Sequence, residues 1–196
     1  MSIAPKLGPA INDVLERLYV SDHAQRRLHL SVDQRTRNID IESGRYLFIL
    51  ALGMQAKTIV EIGSSNGVST IWWAAAMQRT GGHVTGTDIR ADRVEEANAN
   101  LAEAGLAEFG HLELITPEHQ IVEVQNIDLL FIDAEKDDYS LHFDRYIDAV
   151  RPGGLILADN VTSHDCSVYQ AKIRERADIE TVTVTLDRGI EFSVKL

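Results

Sequence analysis

The chain has 196 residues, 44% of them hydrophobic and 25% charged, the composition of one globular domain (1–196) with a full-sized core. Thirty Asp and Glu against nineteen Lys and Arg give a net charge of -11, spread along the chain, and such a surface repels phosphate backbones and anionic lipid. Nucleic acid and membranes are thereby excluded as main partners, and the lone Cys166 excludes an internal disulfide and suits a reducing, cytoplasmic setting.

The opening stretch MSIAPKLGPAINDVLERL has no long apolar core behind a basic start, so the chain reads as soluble and not exported. Its first 50 residues carry amphipathic helical patterns at 11–20 and from about 42 to 52, expected to cap the edge or mouth of a sheet. After them, short apolar runs alternate with amphipathic stretches. TIVEIG (58–63), HVTGTD (83–88), LELIT (112–116), IDLLFID (127–133) and GLILAD (154–159) are strand candidates, all but HVTGTD rich in Val, Ile and Leu, which predicts strands covered on both faces.

Helices are expected between them. One follows the first strand at 68–77. In the next, 91–105, Val94, Ala97, Leu101 and Ala104 share a stripe, with Asp92 and Glu95 at capping-box spacing and Gly105 at the end. A third, 138–150, aligns Tyr139, Phe143, Ile147 and Val150 before Pro152 and the Gly153-Gly154 pair. The tail reads differently: ETVTVTL (180–186), a DRG turn and IEFSVKL (190–196) alternate with period two, as in an antiparallel hairpin. The whole predicts a Rossmann-like, doubly wound α/β fold, with a mostly parallel seven-stranded sheet, a C-terminal antiparallel hairpin and N-terminal helices.

In such a sheet ligands sit beyond the carboxyl ends of the strands. The first strand ends in EIGSSNGVS, where Gly63 permits a tight turn and Ser64, Ser65 and Ser69 present hydroxyls near a helix start; an ordinary turn capped by Asn66 fits as well. A nicotinamide dinucleotide fingerprint requires glycine where Ser65 stands, so a dehydrogenase is disfavoured. Asp88, 25 residues after Gly63, suits a ribose diol, or else starts the next helix. Asp133 and the Asp159-Asn160 pair end two strands one crossover apart. They form either a hard-oxygen set for Mg²⁺, Mn²⁺ or Ca²⁺ or a solvated acid and a turn.

Taken together, IESGRYLFILALGMQAKTIVEIG, GTDIRADRVEEANANLAEAGL, FIDAEKDDY, RPGGLILADNV and LDRGIEFSVKL resemble the cation-dependent, S-adenosylmethionine-dependent O-methyltransferases, over about residues 39–196. The resemblance implies that Glu61, Gly63 and the loop through Ser69 hold the methionine part of the cofactor, and that Asp88 holds its ribose. It also implies Asp133, Asp159 and Asn160 as metal ligands, Lys136 as general base and Glu135 near the acceptor. Asp133 would border the cofactor too. Thr116-Pro117-Glu118-His119 departs from the family's pattern where adenine is held, which leaves His119 as the candidate contact. The implied partner is a small hydroxylated, catechol-like acceptor, and a homodimer is expected by analogy. A metal-independent methyltransferase and a non-catalytic nucleoside-binding regulator are the alternatives.

Overall fold

A computed structural model describes residues 3–31, 34–116 and 124–196. Among these, seven strands form one sheet: β1 (Thr58–Ile62), β2 (His83–Asp88), β3 (Gly110–Leu114), β4 (Ile127–Ile132), β5 (Val150–Ala158), β6 (Ile179–Val184) and β7 (Ile190–Lys195). Their order is β3-β2-β1-β4-β5-β7-β6. Strands β1 to β5 are parallel, and β7 runs antiparallel to both β5 and β6. The chain winds outward from β1 to β3 and resumes at β4 on the other side of β1. The order therefore reverses between β1 and β4, and a crevice opens at their carboxyl ends.

The apolar runs are continuous because both sheet faces are buried. Ile59, Leu129, Phe131, Leu155 and Leu157 point into one core; Val60, Leu130, Ile132, Ile156 and Ala158, one residue out of step, point into the other. The first core is covered by α1 (Pro9–Arg27), α2 (Ile41–Gly53), α3 (Val68–Thr80) and α4 (Ala91–Glu103), the second by α5 (Tyr139–Tyr146) and α6 (Ser167–Arg174). Helix α3 is buried along nearly its whole length, with Trp73 edge-on to Phe131 at 5.7 Å. Helix α2 crosses it at Gly44, where a Cβ would lie 2.6 Å from Trp72 Cδ1.

Several boundaries differ from the sequence reading. Helix α5 stops at Tyr146, and Val150 opens β5 by pairing with Ile127; a register irregularity absorbs the Pro-Gly-Gly stretch. Strand β3 covers Gly110–Leu114, two residues earlier than expected. The capping box of α4 is not formed: Arg90 is the cap residue, and its guanidinium engages the Asp92 carboxylate at 2.5 and 3.1 Å. Nor does Asn66 cap α3, whose cap position is Gly67 in the left-handed region.

Candidate active site

The loop after β1 is shaped by a carboxylate beneath it. Glu61 is fully buried, and its Oε2 accepts hydrogen bonds from Ser64 Oγ at 2.9 Å and from Thr70 Oγ1, with the Ser69 hydroxyl also near enough to favour the ionised carboxylate, while Oε1 meets no hydrogen-bond geometry among the described residues. Burial raises its pKa, against the pull of the surrounding hydroxyls. Gly63, at φ 89°, lets the loop turn so closely under the β4 tip that a Cβ would run into the Asp133 carbonyl. Both Gly63 N–H and Ser64 N–H donate to Thr87 O, at 3.0 and 2.9 Å, tying the loop to β2.

Above this loop lies a cavity of about 960 Å³. At one end Asp88 Oδ2 accepts from Ser65 N–H and Oδ1 from Arg90 N–H, both at 2.9 Å. The two backbone donors fix the carboxylate, and each oxygen keeps a lone pair for a ligand hydroxyl. Ile89, 77% exposed, and Leu114, 40% exposed, supply an apolar wall beside it. A strap formed by residues 34–40, between α1 and α2, roofs the cavity. Thr36 binds Gln25 Oε1 through its N–H and receives Ser65 Oγ on its carbonyl, both at 2.9 Å, and Arg37 pairs with Glu135 at 3.0 Å.

At the other end, Asp133 and Asp159 sit at the tips of β4 and β5, made level by the pairing of Ile132 with Ala158. Burial raises the Asp133 carboxyl pKa, opposed by the Lys136 ammonium. Burial, and after it the charge of Asp133, pushes Asp159 up to about 7. Lys136, in a 3-10 turn before α5, donates to Asp133 Oδ1 at 3.0 Å and to Tyr139 Oη at 2.5 Å; Tyr139 in turn donates to the Asp159 carbonyl at 2.9 Å. Asn160 adopts φ 61° and turns its N–H onto Asp159 Oδ1 at 2.8 Å, with the residue lining the cavity.

Among the described residues no group of three His, Cys, Asp or Glu is arranged to hold a metal ion. The set here is two acids and an amide, a hard-oxygen donor set whose chemistry fits a hard divalent cation.

The cavity thus brings together Gly63, Ser65, Asp88, Asp133, Glu135, Lys136, Asp159 and Asn160. Glu61 lies beneath the loop instead of on the cavity wall, Ser64 is engaged by Glu61 and Thr87, and Ser69 borders a small void next to the cavity with Ser64. His119 lies outside the described residues. Two features escape a sequence reading. Tyr139 reads as one member of an apolar helical stripe, and the strap QRTRNID has no period at all.

The topology, with a cavity at its switch point, defines a Rossmann-like, doubly wound class of α/β domain. Within it, the chain belongs to the O-methyltransferase family, whose model matches residues 16–192. It is 35% identical over 131 residues to a catechol O-methyltransferase of Niastella koreensis, covering 63% of this chain and 58% of that protein. It is 33% identical to a caffeoyl-CoA O-methyltransferase of Nicotiana tabacum, covering 61% and 52%. The chain thus spans little more than half the length of these curated relatives. In fold it resembles the O-methyltransferase TomG of Streptomyces achromogenes, solved with S-adenosylmethionine, at a TM-score of 0.76 and 24% identity, covering 91% of this chain and 88% of that one.

Proposed function

We propose that residues 1–196 form a single S-adenosylmethionine-dependent O-methyltransferase domain. It moves the cofactor's methyl group to a hydroxyl of a small, catechol-like acceptor, with a divalent cation such as Mg²⁺, Mn²⁺ or Ca²⁺ held by Asp133, Asp159 and Asn160. One observation carries the reading: a single cavity has a diol-sized carboxylate, Asp88, at one end and the Asp133, Asp159, Asn160 and Lys136 cluster at the other. A cytoplasmic setting, a homodimer and the absence of nucleic-acid or membrane partners belong to the same proposal. Among the described residues no helix is long and apolar enough to cross a membrane.

When bound, the cofactor supplies an electrophilic methyl group, and a divalent cation supplies charge that favours an ionised acceptor hydroxyl. The chain's own residues do the rest. Gly63, Ser65 and Asp88 position the nucleoside and methionine parts, and the strap over them excludes water. Lys136, held by Asp133 and Tyr139, takes the acceptor's proton. Glu135, joined to Arg37 of the strap, borders the acceptor.

The test is transfer of a labelled methyl group to a panel of vicinal-diol phenols, with Mg²⁺ and with excess chelator, beside calorimetry of S-adenosylhomocysteine. Turnover that needs the cation, with nucleoside binding kept in chelator, is expected. No binding of S-adenosylhomocysteine would refute the reading. A metal-independent transfer is the second reading, favoured by the Lys136–Asp133 ion pair at 3.0 Å, which already brings positive charge to the cluster. Full activity in chelator would select it.

A further inference from the structure

Seven of the chain's fourteen arginines line the cavity. With Lys136 they make eight cationic side chains against seven acidic ones, in a chain whose net charge is -11. The acidic excess therefore lies elsewhere, and the cavity does not repel a single negative charge. The arginines of the roof are not equivalent. Arg26 is paired with Asp22 at 2.6 Å and Arg37 with Glu135 at 3.0 Å. Arg35, also on the cavity wall, has its Nε fully buried, and its guanidinium makes no hydrogen bond or ion pair among the described residues.

A buried cationic donor without an acceptor is unfavourable, and a protein rich in carboxylates has many ways to relieve it. No internal acceptor relieves it among the described residues. Asp22, on the same cavity wall, receives Arg26 and the Thr36 hydroxyl, and Thr36, next along the chain from Arg35, is fastened to α1 through Gln25 and to the β1 loop through Ser65. The strap thus holds Arg35 over the cavity before any ligand arrives, with a planar fork that matches a carboxylate.

We propose that Arg35 receives a ligand carboxylate in the cavity. Its source is either the methionine end of the nucleoside cofactor or an acidic group on the acceptor. The identity of these ligands rests on the methyl-transfer reading; the carboxylate preference itself does not.

The experiment compares matched ligands on wild type, Arg35→Gln and Arg35→Lys. Calorimetry measures S-adenosylhomocysteine against its decarboxylated analogue, and turnover measures 3,4-dihydroxybenzoate against catechol. Arg35→Gln is expected to weaken the carboxylated member of one pair about tenfold or more, as loss of a charge-assisted hydrogen bond does, and to leave the other member within about twofold. Loss confined to the nucleoside pair assigns the carboxylate to the cofactor, and loss confined to the phenol pair assigns it to the acceptor. Should Arg35→Gln fail to fold, Arg35→Lys, which keeps the charge but not the fork, must show the same selective weakening in smaller measure. Equal effects on both members of each pair, or none, overturn the inference. Wild-type protein that binds no S-adenosylhomocysteine overturns the methyl-transfer reading instead. A selective loss in calorimetry with no turnover of any phenol refutes catalysis and upholds the carboxylate site.

Discussion

Asp159 makes the acidic end of the cavity measurable without any substrate. It is 4% exposed, and burial together with the charge of Asp133 moves its pKa from an ordinary 3.8 to about 7. In the unfolded chain the group ionises near 3.8; in the folded chain it holds its proton to about 7. Between those values the folded state binds more protons, so stability is full below the unfolded pKa and falls as pH rises, levelling above the folded one. A displacement of this size is worth roughly 4 kcal/mol at 25 °C. Asp159→Asn keeps the acceptor for Asn160 N–H and removes the ionisation. In chelator it should match wild type near pH 4 and exceed it at pH 8 by an amount approaching that figure. Urea unfolding at the two pH values reads the difference, which includes the relief of Asp133, since the two carboxylates repel each other when both are charged; Glu61, which also shifts upward, is present in both proteins. Under the cation proposal, Mg²⁺ at pH 8 restores wild-type stability and leaves the variant unchanged. A wild-type-to-variant difference that is the same at both pH values refutes the argument.

Two further substitutions probe the framework. Glu191 is fully buried on β7; burial pushes its pKa up, but hydrogen bonds from Thr183, Gln170 and Thr181 and the charge of Arg174 bring it below its ordinary value. Its stabilisation is present above about 4.5 and lost as pH falls through the folded pKa, so Glu191→Gln should lower neutral stability by roughly 2 kcal/mol and blunt acid unfolding. An unchanged acid midpoint would count against this. Gly63→Ala places a Cβ against the Asp133 carbonyl at a φ of 89°; we expect a lower melting temperature and at least tenfold weaker S-adenosylhomocysteine binding, whereas wild-type affinity in calorimetry would show that the close approach is dispensable.

What was legible in the sequence follows from which forces act locally. Strands buried on both faces are largely apolar, and β1 and β4 stand out for that reason. Boundaries were misread where a distant partner decides. Val150 keeps helical spacing with Phe143 and Ile147, yet backbone pairing with Ile127 draws it into β5. Asp92 has cap spacing, yet the flexible guanidinium of Arg90 reaches it first. In the site, Asp133 and Asp159 could be found because each ends an apolar run, and Asp88 because it ends a strand at a set distance after Gly63. The strap could not be found: Thr36 meets Ser65, and Arg37 meets Glu135, across 29 and 98 residues of chain.

Lys136 shows how far a motif can be taken and where geometry must continue it. Three residues after Asp133, a lysine among acids reads more readily as a surface counter-charge than as a base, and only the family resemblance implies the base. Its Nζ instead donates to Asp133 Oδ1 and to Tyr139 Oη, and Tyr139 has already committed its proton to the Asp159 carbonyl. The tyrosine oxygen can therefore only accept from the lysine, which sets the direction of the bond. A neutral amine and an ammonium can each donate both hydrogen bonds. The remaining tetrahedral position on Nζ is a third N–H in one form and a lone pair in the other. In the proposed reaction the proton is gained at that position, and neither restraint on the side chain has to break. Such a base keeps its place with or without the added proton, held by a tyrosine that a helical stripe of apolar residues had concealed.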